Sequence, residues 1–250
     1  MSPTETDIKP LPVFYTHSPK PPSSQWEGKE CFHCLQVQRH RQGEKFYLNN
    51  GKGQQNLCEI TKITGKDKCN IRIISTHTSP PPPHVDLYIV PPKSQERLGW
   101  MVEKLSEIGI RSISFLESHR SMRKQLNLDR LKRISIAALK QSRASYLPEL
   151  FPIRNISSYL QTQSSPNVQF QNPTQELKYI ANPSSAPLPF SQLKGKKASL
   201  LIGPEGGFTT KEFKEAQDKG FIGFSLGSEI LRTETASILS AYLFKQILDS

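Results

Sequence analysis

Two short stretches carry residues whose types and spacing suit chemistry. The first is Gly203-Pro204-Glu205-Gly206-Gly207, three glycines and a carboxylate in five residues. Glycine accepts positive φ and lets another group approach the backbone closely, so this turn suits a ligand held by main-chain groups. The second runs from Gly227 to Thr233 and carries Glu229 and Arg232, with Glu234 just after it. A fixed arginine can stabilise developing negative charge, and a carboxylate can take a proton. Arg232 and Glu205 are the candidate catalytic residues, with Glu234 a further carboxylate. Plainer roles compete: ordering its own turn for Glu205, and capping the helix that follows for Glu234.

Both stretches end apolar strands. Ala198 to Ile202 is a short apolar run that stops at Gly203, as a buried parallel strand does. Phe221 to Leu226 alternates apolar and small residues and reads as a second strand. Between them, Thr209 and Glu212 form a capping-box pair that opens a helix, and Gly220 suits its C-terminal end. The last helix has Ala236, Leu239, Leu243 and Ile247 on one face. It is apolar nearly all round, which predicts burial in a core or an interface. Turns at the C-terminal ends of parallel strands are where an α/β sheet binds its ligand. The Walker pattern and the G-x-G-x-x-G dinucleotide pattern are both absent, so neither phosphate-cradle reading applies.

At these residues the chain resembles a known family. IGPEGGF, a helix, then SLGSEILRTETA is similar to the RsmE-type members of the SPOUT methyltransferases. Those are knotted α/β enzymes that methylate N3 of a uridine in 16S ribosomal RNA, with S-adenosylmethionine as cofactor. The resemblance implies a C-terminal trefoil knot, dimers packed through it, and small-subunit ribosomal RNA as the partner. It implies a cofactor site on three turns: Ile202, Gly203, Glu205 and Gly206 on the first, and Leu226, Gly227, Ile230, Leu231 and Arg232 on the second. Leu116 would come from a third, since Glu117 to Ser121 also ends a strand. Leu226 and Ile230 would wall the adenine, with ordinary core packing as the competing reading. A uridine N3 is a weakly acidic imide, so attack needs a base or a cation beside the base oxygens. A non-catalytic RNA-binding protein on the same scaffold and a transfer-RNA ribose methylase remain as alternatives.

The 250 residues carry a formal net charge of +11, which favours an anionic partner such as nucleic acid. The cations cluster between Arg111 and Arg143, where only Glu117 and Asp129 oppose them. Residues 1–22 are proline-rich and polar apart from an apolar island at Leu11 to Tyr15, read as a first strand. No signal peptide and no bilayer-length apolar run are present, so the expectation is a soluble cytoplasmic protein with no membrane association.

Short β-type segments follow at Phe32–Val37, Lys45–Leu48, Leu57–Ile63 and Asn70–Ile74, with a hairpin signal at Asn50-Gly51. They predict a small β-barrel over residues 1–80. The stretch HCLQVQRHRQGEKFYLNNGKG resembles the family's PUA-like RNA-binding domain, which would turn Arg39 and Arg41 toward RNA; two solvated strand charges is the other reading. Cys31, Cys34, Cys58 and Cys69 lack the spacing of a zinc ribbon, so free reduced thiols and no metal are expected. Pro80 to Pro83 predicts a stiff linker, with an α/β domain over residues 84–250.

In that domain Asp86–Val90, a helix over Gln95–Ile108 ending at Gly109, and Ile113–Leu116 predict a parallel strand–helix–strand unit. Leu128 to Arg143 reads as a basic amphipathic helix with Leu131, Ile134, Ala138 and Gln141 on one side. Gln141 and Arg143 match the family's glutamine–arginine pair, so the resemblance implies an RNA face for them. Arg120 and Arg123 belong to the same basic cluster and complete the RNA-binding candidates. Residues 148–177 are poor in pattern, and Leu177 to Ile180 is a further strand.

Overall fold

In the first half of the chain, short strands with one buried face build a sheet. β1 (Val13–Tyr15) and β2 (Gln25–Glu27) are followed by helix α1 (Lys29–Phe32), then β3 (Lys45–Asn49), β4 (Gln54–Ile63) and β5 (Lys68–Thr78). The sheet order is β1-β3-β4-β5-β2, with β1 parallel to β3 and the other pairs antiparallel. It is a curled half-barrel with β1 and β2 at its edges. Phe14, Trp26, Phe46, Leu48, Cys58 and Ile60 form its core. The coordinates come from a computed structural model and describe residues 11–17, 25–121, 125–163, 176–188 and 197–249.

Two sequence expectations need correction here. Phe32–Val37 is no strand: α1 runs on as a π-helical turn, His33–Val37. Cys31, Cys34 and Leu35 are buried, and their i, i+3, i+4 spacing is helical. Arg39 and Arg41 therefore lie in the loop before β3, both exposed, with Arg39 at φ 58. The Asn50-Gly51 turn joins β3 to β4, with Asn49 Oδ1 accepting from Gly51 N–H and Asn50 Oδ1 from Lys52 N–H. All four cysteines are free and buried. Burial pushes the Cys34 and Cys58 thiols up to about 12, which keeps them out of nucleophilic chemistry near neutral pH.

The chain divides into two compact units, Met1–Pro81 with Leu139–Tyr146, and Pro82–Ala138 with Leu147–Ser250. The division falls inside the proline run. The segment 139–146, however, groups with the N-terminal sheet. There Asn49 Nδ2 donates to Ala144 O at 2.8 Å, Gly53 N to Ser145 O at 2.8 Å, and Tyr146 Oη to Ser79 O at 2.9 Å. Lys140 pairs with Glu30 at 2.9 Å.

The second unit alternates strands and helices: β6 (His84–Ile89), α2 (Gln95–Ile108), β7 (Ser112–Glu117), α3 (Leu128–Ser142), β8 (Glu149–Asn155) and α4 (Ile156–Gln161). Then come β9 (Glu176–Ala181), β10 (Lys197–Ile202), α5 (Thr210–Asp218), β11 (Ile222–Phe224) and α6 (Thr233–Asp249). The six strands are all parallel, in the order β11-β9-β10-β6-β7-β8. Ser94 caps α2 by accepting from Arg97 N–H, and Gly109 ends it at φ 77. Leu98, Val102 and Leu105 of α2 are buried against the sheet, each contributing about 1.5–3 kcal/mol. Among the described residues, no helix is long and apolar enough to cross a membrane.

In α6 only Ala236 of the expected apolar face is buried. Leu239 is 41% exposed, whereas Ala236, Ser237, Ser240, Ala241 and Phe244 are buried. A helix apolar on every side gives no periodicity to choose a face. The stripe of small residues wins because it packs closely against α2 and β6. β8 and α4 lie within the stretch that showed no pattern, where most β8 side chains are partly or fully exposed.

Candidate active site

The two glycine-bearing loops meet over the C-terminal ends of β9, β10 and β11. Sheet order brings this about, because these three strands are neighbours. The pocket between the loops holds about 580 Å³ of space, part of it open to solvent. Ile202, Gly203, Glu205, Leu226, Ile230 and Leu231, all cofactor-site candidates, line it. Gly206, Gly227 and Arg232 flank it without lining it. The third turn is not 117–121 but Ala181-Asn182-Pro183, after β9. Leu116 is fully buried in a separate core cluster with Val90 and Tyr159. β7 lies two strands from β10, too far along the sheet to share the pocket. Phe224, Ser225, Glu229, Thr233 and Ala236 also line it.

The first loop is held from several sides. Gly203 O accepts from Thr233 Oγ1 at 2.9 Å, and a Cβ at Gly203 would lie 3.1 Å from the Phe208 ring. Gly207 turns at φ 68, and its N–H donates to Pro204 O at 2.8 Å. Gly206 O accepts from the Arg120 guanidinium. A Cβ at Gly206 would meet Arg120 Cδ at an ordinary 3.5 Å, so this glycine is not the steric key of the turn. Behind the loop, the capping box at Thr209 and Glu212 forms as expected. Glu212 also accepts from His119 N–H at 2.7 Å.

Arg97, which the sequence did not single out, bridges both candidate carboxylates. Its Nη1 donates to Glu205 Oε1 at 2.8 Å, and its Nε lies 3.7 Å from Glu234 Oε1. Glu234 is buried, and its Oε2 has no hydrogen-bond partner among the described residues. Burying a carboxylate is costly unless it is paired. One guanidinium thus serves two carboxylates. Glu234 is accordingly no partner for Arg232. Arg232 is exposed at the start of α6, and its carbonyl accepts Ala236 N–H at 2.9 Å.

The second loop, residues 226–232, lies outside every helix and strand. Gly227 sits at φ 147 and Ile230 is 82% exposed. An apolar side chain standing free beside a pocket with apolar walls suits a flat aromatic group. The residues fit S-adenosylmethionine on this count. Ile202, Leu226, Ile230 and Leu231 offer apolar walls for adenine, and the glycine turns leave room for close backbone approach.

Of the RNA candidates, Arg120, Gln141 and Arg143 are exposed. Arg143 has φ 61 and donates to Leu11 O at 3.2 Å. Arg123 lies outside the described residues. Among the described residues there is no group of three or more His, Cys, Asp or Glu placed to hold a metal.

An all-parallel sheet with its ligand pocket on a topologically shared edge places the chain in a class, the α/β enzymes that bind at strand C-termini. Residues 79–245 match the RNA methyltransferase domain family, and the chain belongs to it. The Ribosomal RNA small subunit methyltransferase E of Bacillus subtilis is 25% identical over 228 residues, 84% of this chain and 85% of the relative. A probable rRNA-methyltransferase from Porphyromonas gingivalis has a TM-score of 0.80 at 28% identity, covering 96% of this chain and 99% of the other. A putative methyltransferase from Legionella pneumophila, solved in complex with SAM, has a TM-score of 0.77 at 25% identity, covering 95% and 98%. The Bacillus subtilis relative is of the RsmE type that IGPEGGF and SLGSEILRTETA resemble.

Proposed function

We propose that this protein transfers a methyl group from S-adenosylmethionine to N3 of a uridine in 16S, small-subunit ribosomal RNA. The pocket at the ends of β9, β10 and β11 carries the reading, because it combines apolar walls, glycine turns and carboxylates in a member of an RNA methyltransferase family. The likeness to a SAM-bound structure and to ribosomal RNA methyltransferases over most of both chains supports it.

The donor, when bound, supplies an electrophilic methyl on a sulfonium. The chain's residues hold it and prepare the acceptor. Ile202, Leu226, Ile230 and Leu231 pack the adenine, while the turns at Gly203 and Gly227 bring backbone groups to its polar edges. Arg232, exposed beside the pocket, lies over the uridine oxygens and stabilises the imidate that forms as N3 loses its proton. Glu205 serves as the acid–base candidate, held in place by Arg97.

In this reading residues 1–80 form a PUA-like RNA-binding domain and residues 84–250 a SPOUT domain with a C-terminal trefoil knot. Arg39, Arg41, Arg120, Arg123, Gln141 and Arg143 contact RNA, and the protein works in the cytoplasm. It acts as a homodimer through α6, whose Leu239 and Tyr242 are 41% and 52% exposed. A monomer in light scattering at micromolar concentration would count against the dimer. The activity itself is tested by mass spectrometry of small-subunit RNA nucleosides from cells with and without the gene. Loss of 3-methyluridine in the deletion is expected; an unchanged nucleoside profile would refute the assignment.

A further inference from the structure

In a chain of net charge +11, the pocket is the exception. Among its described lining residues the ionisable side chains are Glu205 and Glu229, with no lysine, arginine or histidine. Arg97 compensates Glu205 but is shared with the buried Glu234. Among the described residues Glu229 accepts from the Ser228 hydroxyl, at 2.8 Å. Its Oε2 lies 3.8 Å from where a Cβ on Gly227 would stand, so the carboxylate sits over the backbone turn. The lining therefore carries carboxylates alone, while Arg232 on the same loop flanks the pocket without lining it.

Resting on the donor reading above, we infer that Glu229, with Glu205, makes the pocket selective for the cationic sulfonium of the donor over the neutral thioether of the product. In the transfer, the sulfur–methyl bond breaks and its electron pair stays on sulfur. The new bond forms at uridine N3, whose proton leaves. S-adenosylhomocysteine then differs from the donor at that sulfur by one methyl group and one positive charge. The amino, carboxylate and ribose groups are common to both. A net negative lining attracts the donor more than the product, and so favours release after turnover. Glu229 is exposed, so its field is screened by water. At separations of several ångströms and a near-surface effective dielectric, the preference is roughly three- to tenfold.

Calorimetry on the full chain tests this with three probes: S-adenosylmethionine, S-adenosylhomocysteine, and sinefungin, whose amine keeps a positive charge near the sulfur position. The wild type should bind the two cationic probes more tightly than the thioether, by a ratio that shrinks as salt is raised. Glu229→Gln should weaken both cationic probes and leave S-adenosylhomocysteine unchanged, and Glu205→Gln/Glu229→Gln should bring the ratio close to one. Equal loss of all three would mean that the carboxylate holds a group common to them, such as a ribose hydroxyl, and would overturn the inference. So would a wild type that binds the product as tightly as the donor. Either result with donor binding and methylation intact removes only the charge selectivity. A wild type that binds no probe and methylates no RNA removes the donor reading along with it.

Discussion

The two loops that build the pocket are held in opposite ways. Gly203–Gly207 is tied by Thr233, Arg97 and Arg120, and backed by Phe208 and a capped helix. Residues 226–232 belong to no helix or strand and present Ile230 to solvent. The difference assigns them different work. The tied loop fixes one wall and couples to the stability of the unit. The open loop is anchored by Leu226 and Leu231, which pack against the core, while Glu229, Ile230 and Arg232 are exposed and can act on a ligand without holding the fold.

That contrast can be broken by substitution. The largest effect is expected from Arg232→Lys on the open loop. If the guanidinium stabilises the transition state, kcat falls about a hundredfold, as for loss of one preorganised donor, with donor Kd within a few-fold and melting temperature unmoved. A normal kcat at saturation would end the catalytic role, and a fall in melting temperature would show that the loop is not free.

Next is Arg97→Ala in α2, which unties one side of the tied loop and leaves the buried Glu234 carboxylate unpaired. The cost is roughly 2–4 kcal/mol of stability, toward the lower end because Arg97 is partly exposed. Arg97→Ala/Glu234→Gln should recover most of that loss in thermal melts. No recovery would mean that Arg97 acts only through Glu205.

A smaller effect follows Ile230→Ala. Removing an apolar wall that is already mostly solvated should weaken donor binding by about 1 kcal/mol, roughly fivefold, and should leave stability unchanged. Equal affinity in calorimetry would take Ile230 out of the pocket. Thr209→Ala removes the cap behind the tied loop. It should cost about 1 kcal/mol in urea unfolding with kcat retained, the reverse of the open-loop pattern.

Local signals were legible and long-range ones were not. The strand 197–202, the helix Gln95–Ile108 and the capping box were readable because each is fixed by residues within a turn or two of one another. The role of Arg97 was not, since Glu205 lies 108 residues away and only the strand order brings them together. The same order put Asn182 into the pocket and kept Leu116 out, and nothing in a run of apolar residues states which strand it will neighbour. Phe32–Val37 misled because its aromatic and β-branched residues mask a helical spacing of buried cysteines. The buried face of α6 was hidden by hydrophobicity on every side.

The segment Leu139–Tyr146 bears on the order of events during synthesis. The N-terminal sheet needs it, yet Asn49 and its partner Ala144 are 95 residues apart. At ribosomal rates of about 5–20 residues per second, on the order of ten seconds separates their emergence. The sheet's own hairpins can form early, but Asn49 and Gly53 must wait for a strap that arrives after α2 and β7 have been made. A nascent chain stalled before residue 139 should therefore hold that sheet in a protease-sensitive form, which becomes resistant once residue 146 has cleared the exit tunnel.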